Sequence, residues 1–232
     1  AFAIGLLHKL QAQTYQTQAL VLCPTRALAD QVSNEIRRLA RAIANTRILT
    51  LCGGKPMGPQ LASLQRPPHI VVGTPGRILK HLEKGSLQLD RLQTLVLDEA
   101  DRMLDMGFIH DIRKVMALMP KRRQNLLFSA TYSNDIKRLA DGLLYKPALI
   151  EVARRNTAAE SVTQHVYRAD KDTKRDLLIH LIDSGDWRQV LVFTRTKHGA
   201  NRLAEQLNRA SIEAAAIHGN KSQGARTRAL SG

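Results

Sequence analysis

Aromatic residues are scarce, at 4% of the 232 positions, with Trp187 the single tryptophan. An extended platform of rings for stacking bases is therefore not expected, and a bound polyanion would be held mainly through its phosphates, which carry little sequence information. Cysteine is scarcer still. Cys23 and Cys52 stand apart in apolar runs, which excludes a disulfide framework or a zinc site and reads as two reduced core residues, as expected in the cytoplasm. No apolar run reaches the roughly 18 residues of a membrane span, so no membrane partner is expected. Residues 1–7 are short, have no basic lead-in and show no cleavage pattern, unlike a signal peptide. An initiator methionine is missing and no closing element follows Leu230, so the chain reads as an excerpt of a longer protein.

Positive charge, in contrast, is abundant. The 35 lysines and arginines outweigh 20 acids, for a net charge of +15. That balance favours a polyanionic partner, most simply a nucleic acid, although a generally basic surface gives the same total. Hydrophobic content of 44% and charge of 24% describe an ordinary soluble globular protein. The length suits one large or two small domains.

Short apolar runs alternate with amphipathic stretches along the chain. Strands are expected at residues 19–23, 48–52, 70–73, 94–97, 126–128 and 148–152. Helices are expected at residues 1–12, after Arg26 (with Leu28, Val32, Ile36, Leu39 and Ile43 as one stripe), after Pro75, around Ile109 to Met119, and around Ile136 to Leu143. This alternation implies an α/β fold with a parallel sheet covered on both faces. Residues 153–161 are polar and aperiodic and read as a linker between domains at 1–152 and 162–232. The pattern then restarts, with strands expected at 164–167, 190–193 and 214–217 and helices carrying Leu177 to Ile182 and Leu203 to Leu207.

Several breaks fall just after an apolar strand, which in a parallel sheet places them along one edge. Thr94-Leu95-Val96-Leu97 runs into Asp98, Glu99 and Asp101. Carboxylates at the carboxyl end of a strand suit a metal–nucleotide site, because Mg²⁺ takes carboxylate oxygens and keeps several waters. Alone, the same acids would equally serve as the solvated start of a helix. Thr74 can cap the next helix with Pro75 at its first position. With Arg77 nearby this makes a phosphate site, and Thr25 and Arg26 repeat the arrangement. Gly53 and Gly54 permit close approach of a backbone. Ser129 and Thr131 can hydrogen-bond to acids on the neighbouring strand. Plain helix capping accounts for any one of these turns, but much less well for four of them beside an acid cluster.

These residues also carry a resemblance. Asp98-Glu99-Ala100-Asp101 spells DEAD, and residues 24–28 (PTRAL), Gly53-Gly54, Thr74 to Arg77 (TPGR), Ser129 to Thr131 (SAT), Val192 to Thr196 and His218-Gly219 with Gln223 and Arg226 follow in order. From end to end the chain resembles the core of a DEAD-box RNA helicase. Residues 18–108 are most similar to the DbpA-type bacterial members and residues 109–230 to the RhlE-type.

The resemblance implies two RecA-like parallel-sheet domains in tandem, both incomplete, with the N-terminal part of the first and the C-terminal part of the second missing. It implies ATP with Mg²⁺ as cofactors and RNA as partner. It assigns Asp98 to the Mg²⁺ shell through water, Glu99 to orienting the hydrolytic water, and Asp101, Ser129 and Thr131 to coupling nucleotide state to RNA. Thr25, Arg26, Gly54, Thr74, Gly76 and Arg77 would hold RNA in the first domain, and Thr194, Gly219, Gln223 and Arg226 would face it, or support residues that do, in the second. The family's GKT phosphate loop and the later arginines do not occur in residues 1–232, so this stretch as a separate polypeptide is expected to hydrolyse ATP negligibly. Ala27 stands where the family has glutamate. Two readings compete: a non-catalytic RNA-binding fragment, and a DNA-acting helicase or translocase.

Overall fold

The computed structural model describes residues 2–151 and 162–231. The chain divides into two compact units, Ala1–Thr157 and Ala158–Gly232. The expected linker, residues 153–161, lies outside the described residues.

In the first unit, strands β1 (Ala19–Leu22), β2 (Ile48–Leu51), β3 (Ile70–Gly73), β4 (Thr94–Leu97) and β5 (Gln124–Leu127) form one sheet in the order β2-β3-β1-β4-β5. Every pairing is parallel, with Leu20 opposite both Val71 and Leu95. All residues of β1, β3 and β4 are buried, because helices cover both faces and leave no polar side to alternate with. Leu20, Leu22, Val71, Leu95 and Leu97 pack with Ile78 of α4 (Pro75–Glu83), Met103 of α5 (Ala100–Asp105), Ile112 of α6 (Ile109–Ala117) and Ile136 of α7 (Asn134–Leu143). Val21, Val72 and Val96 point the other way, toward α1 (Phe2–His8) and α2 (Arg26–Leu39).

Two helices depart from the sequence expectation. The buried face of α2 is Ala29, Ser33 and Ile36, while Leu39 is exposed. Leu28, Val32 and Ile43 of the expected stripe still pack, partly buried, against the same core as Ile36, but the helix ends at Leu39, short of Ile43. Helix α3 (Met57–Leu64) was not foreseen, because Pro56, Gly58 and Pro59 argue against helix. Pro56 occupies the N-cap and Pro59 the first turn, where N–H groups have no intrahelical acceptor and proline costs little.

The strand expected at 148–152 is not formed over 148–151, and residue 152 lies outside the described residues. Leu149 and Ile150 are exposed. No described strand lies beside them, so their backbone groups enter no ladder. The second unit shows the same effect. It contains α8 (Lys174–Ser184), α9 (Lys197–Arg209) and α10 (Gln223–Ser231). The three runs expected as strands form none, and Val166 and Phe193 are 95% and 88% exposed. An apolar run becomes a buried strand only when a neighbour pairs with it and helices cover it.

Candidate nucleotide and phosphate edge

The parallel sheet brings five strand-to-helix turns to one edge, and the strand order sorts them. Reading across, the turns after β2, β3 and β1 carry Gly53-Gly54, Thr74 to Arg77 and Thr25-Arg26. Those after β4 and β5 carry Asp98 to Asp101 and Ser129 to Thr131. Phosphate-suited turns thus occupy one side and carboxylates the other.

On the phosphate side the turns are tied together. Thr25 caps α2, its hydroxyl accepting from the Leu28 N–H at 3.2 Å. Thr74 stands at the N-cap of α4, but its hydroxyl does not cap that helix. It accepts instead from the Gly53 N–H at 3.2 Å, joining the turn after β3 to the turn after β2. The Arg77 and Ile78 N–H groups both donate to the Thr74 carbonyl, so the helix start offers a phosphate fewer free donors than expected. Gly54 has φ +72, and a Cβ there would lie 2.8 Å from Nη1 of Arg26, whose guanidinium covers it. The positive φ favours glycine, while the guanidinium, as the end of a flexible side chain, could move aside for a Cβ. Gly76 is close to α6: its Cβ would meet Oδ2 of Asp111 at 3.1 Å. Arg77 donates through Nη2 to the Lys55 carbonyl at 2.9 Å, while its buried Nη1 has no hydrogen-bond partner. Replacing Thr25 with alanine is expected to cost about 1 kcal/mol through loss of the cap, read as a lowered denaturation midpoint.

Sequence reasoning missed the support beneath these turns. Buried Gln60 donates to the carbonyls of Cys52 and Pro56 at 3.1 and 3.3 Å, and its Oε1 meets Nε2 of buried His81 at 3.2 Å. Burial lowers the His81 pKa, keeping the ring neutral. This chain of contacts clamps the glycine turn to α4. A lone glutamine and a lone histidine 21 positions apart leave no pattern by which to find it.

On the carboxylate side, the ladder continues past β4. The Asp98 N–H donates to the Leu22 carbonyl at 3.0 Å, the Ala100 N–H to the Phe128 carbonyl at 2.9 Å, and the Phe128 N–H to the Leu97 carbonyl at 2.8 Å. Asp98 is half-buried and Glu99 exposed. Burial, then the neighbouring Glu99 charge, raises the Asp98 pKa above the ordinary carboxylate value. The proton is therefore held more tightly in the folded state. The stability from protonation is present at acid pH and is lost as pH rises through the folded pKa. Asp98→Asn is accordingly expected to raise Tm at pH 7, with the gain fading as pH falls into the carboxylate range; a lower Tm at pH 7 would refute this.

Glu99 holds a left-handed conformation, φ 52 and ψ 55, at the N-cap of α5. Asp101 accepts through Oδ2 from both the N–H and the hydroxyl of Thr131, each at 3.0 Å. Ser129 does not reach an acid: its hydroxyl donates to the Thr131 carbonyl at 2.8 Å and so shapes the turn from within. Among the described residues no group of three or more His, Cys, Asp or Glu side chains is arranged to hold a metal ion. One or two carboxylates do suit Mg²⁺, which binds few protein ligands and retains water. Burial pushes both cysteine thiols up, Cys52 to about 11, so these free thiols stay protonated, as core residues should.

In the second unit, Thr194 donates to the Thr196 carbonyl at 3.1 Å, and Thr196 caps α9 by accepting from the Gly199 N–H at 2.9 Å. Lys197 donates to Asn220 Oδ1 at 2.8 Å, and His218 Nε2 meets Asn201 Oδ1 at 2.9 Å. The Thr194 turn and the His218-Gly219 turn are thereby joined. Lys197, Asn201 and Asn220 were not among the sequence candidates, although Lys197 and Asn201 share a helix face four residues apart. Gln223 and Arg226 lie on α10, where the Arg226 N–H donates to the Ser222 carbonyl at 3.0 Å.

Among the described residues no helix is long and apolar enough to cross a membrane. Comparison with known proteins agrees with the arrangement of the turns. The chain is 46% identical over 230 residues to the ATP-dependent RNA helicase DbpA of Escherichia coli K12, covering 99% of this chain and 50% of that protein. It is 40% identical over 230 residues to the DEAD-box ATP-dependent RNA helicase CshA of Geobacillus kaustophilus, covering 99% and 49%. The chain thus spans about half the length of the curated relatives it matches. Among solved structures, a DEAD box protein from Methanococcus jannaschii aligns at TM-score 0.63 with 35% identity, over 99% of this chain and 61% of that one. Saccharomyces cerevisiae Dbp5 bound to RNA and ADP BeF3 aligns at TM-score 0.85 with 25% identity, over all of this chain and 58% of that one. The helicase conserved C-terminal domain matches residues 173–232. The DEAD/DEAH box helicase family matches residues 1–139, and the chain belongs to that family.

Proposed function

We propose that this chain is the core of an ATP-dependent RNA helicase, in which ATP binding and hydrolysis drive local opening of RNA duplexes. The observation that carries the reading is the double hydrogen bond from Thr131 to Asp101 beside Asp98 and Glu99. It ties the acid cluster on β4 to the turn after β5, so a change at the carboxylates is felt by a neighbouring strand. ATP, when bound with Mg²⁺, supplies the scissile phosphoanhydride and the charge neutralisation that phosphoryl transfer needs.

Asp98 offers its half-buried carboxylate to the hydrated cation. Glu99, exposed at a strained turn, orients the attacking water. Asp101 holds Thr131, and Ser129 keeps that turn in shape, so the three transmit the nucleotide state. Thr25, Arg26, Gly54, Thr74, Gly76 and Arg77 hold RNA phosphates and sugars, a reading supported by their gathering on adjacent turns at one sheet edge. In the second unit Thr194, Gly219, Gln223 and Arg226 take the corresponding roles.

Competition between RNA and DNA strands of one sequence, at stated salt, tests the assignment. RNA is expected to displace DNA when ATP is present and to stimulate phosphate release in the full-length protein. Equal competition by DNA would favour a DNA translocase, and RNA binding without phosphate release would favour a non-catalytic binder.

A further inference from the structure

The net positive charge of the first unit is not concentrated on the edge just described. The connections from helix to strand, at residues 9–18, 40–47, 65–69, 84–93 and 118–123, all lie at the opposite, amino edge of the parallel sheet. Together they carry nine lysines and arginines and a single acid, Asp90. The connections at the carboxyl edge carry Lys55 against Asp98 and Glu99, and even counting Arg26 and Arg77 at the helix starts they hold three cations. Two of the amino-edge arginines are structural: Arg47 donates to the Ser63 carbonyl and Arg123 to the Pro120 carbonyl. Lys9, Arg66, Arg91, Lys121 and Arg122 are exposed, and no ion pair among the described residues engages them.

The same edge has features suited to a base. Tyr15 is 49% exposed, with the Arg66 guanidinium 4.8 Å from its ring centroid. Beside it lies a cavity of about 300 Å³ whose walls include Tyr15, Gln65, Pro67, Gln88 and Arg91. Two amides supply donors and acceptors for a base edge, and the ring with its guanidinium supplies a stacking face. Asp90 also lines this cavity and provides one acceptor for an exocyclic amine.

We propose that the amino edge of the first unit's sheet is a second RNA-binding surface. It would take the phosphate backbone of a structured RNA on its exposed cations and one unstacked base beside Tyr15. The proposal rests on the RNA reading above. It adds a contact that holds a long substrate while the carboxyl edge handles the strand being opened. Cations without acid partners favour phosphates, and the amide-lined cavity beside an aromatic ring favours RNA over an acidic protein segment.

The test uses the full-length protein with Arg66→Glu, Arg91→Glu and Arg122→Glu combined. Affinity for a single strand of about 10 nucleotides should be unchanged within about twofold. Affinity for a long structured RNA should fall about tenfold, and its logarithmic salt dependence should become shallower by about 2, from about 0.7 per contact. Equal loss for both RNAs, or no loss for the long one, overturns the proposal; in the latter case the surface serves another partner. Ultraviolet crosslinking of the unsubstituted protein removes dependence on the variant's folding. Long RNA should crosslink at Tyr15 as well as near Thr25 and Arg77. Crosslinks at the carboxyl edge alone defeat this inference and leave the RNA reading intact. Crosslinks at neither edge defeat both.

Discussion

Replacing Glu99 with glutamine in the full-length protein should lower RNA-stimulated ATP hydrolysis by about 10²- to 10⁴-fold, the usual worth of a positioned general base, while RNA affinity stays unchanged. Glutamine keeps the side chain's length and shape, so only the capacity to draw a proton from water is removed. The site geometry argues for Glu99 in this role. Its carboxylate is exposed, whereas Asp98 next to it is half-buried with a raised pKa. Two adjacent acids thus sit in different environments and are suited to different tasks.

The backbone adds a second argument. A glutamate at φ 52, ψ 55 occupies the left-handed region at a cost of about 1–2 kcal/mol relative to glycine. Such strain persists where the surroundings impose it, commonly at functional positions. Glu99→Gly is therefore expected to stabilise the fold by roughly 1 kcal/mol and to abolish turnover. A Glu99→Gln protein retaining more than a tenth of normal hydrolysis would remove Glu99 from the mechanism.

Gly73→Ala should destabilise the first unit by about 3 kcal/mol or more, at the upper end of overpacking costs. Gly73 ends β3, the strand between β1 and β2. A Cβ there would lie 2.3 Å from the Leu51 carbonyl oxygen and 2.7 Å from Cδ1 of Ile78. The first neighbour is backbone within the sheet and the second belongs to a fully buried side chain, so neither can move cheaply. The same carbonyl accepts from the Thr74 N–H at 3.2 Å; a shift there would also disturb the turn that holds Thr74 and Arg77. Denaturant titration of Gly73→Ala beside Gly58→Ala makes the comparison. Gly58 lies in α3 with nothing within 4 Å of its would-be Cβ, so alanine there should be neutral or slightly stabilising. Equal midpoints for the two variants would contradict the packing argument.

Much of the first unit was legible because its strands are short, mostly apolar and followed by punctuation. The runs at 19–23, 70–73 and 94–97 could be read because burial on both faces leaves them apolar apart from Thr94 at the start of the last. Legibility failed where a feature depends on partners distant in sequence. Residues 148–150 and 190–193 are as apolar as β1, yet form no ladder, since strand formation belongs to a pair and not to a segment. Helix α3 was hidden by prolines that the first turn tolerates. The Gln60–His81 clamp was invisible because its two members have no meaningful spacing. Thr74 was read as a cap from local preference, whereas its hydroxyl found a better donor, the Gly53 N–H, on an adjacent turn.

From residue types and spacing alone came the alternation of strand and helix, the parallel sheet, and the rule that turns after its strands share one edge, because a helical crossover returns the chain so that the next strand runs in the same direction. The motif spellings within those turns, DEAD foremost, were equally local. Only the tertiary structure decided the order in which strands lie side by side. That order, β2-β3-β1-β4-β5, separates the phosphate-suited turns from the carboxylates and brings Asp101 and Thr131 within 3.0 Å across 30 residues of sequence. The basic helix-to-strand connections share the far edge because all the strands run parallel, and the order sets only how they line up along it. Strand order depends on which faces the crossing helices cover, a many-body packing outcome that no single segment encodes.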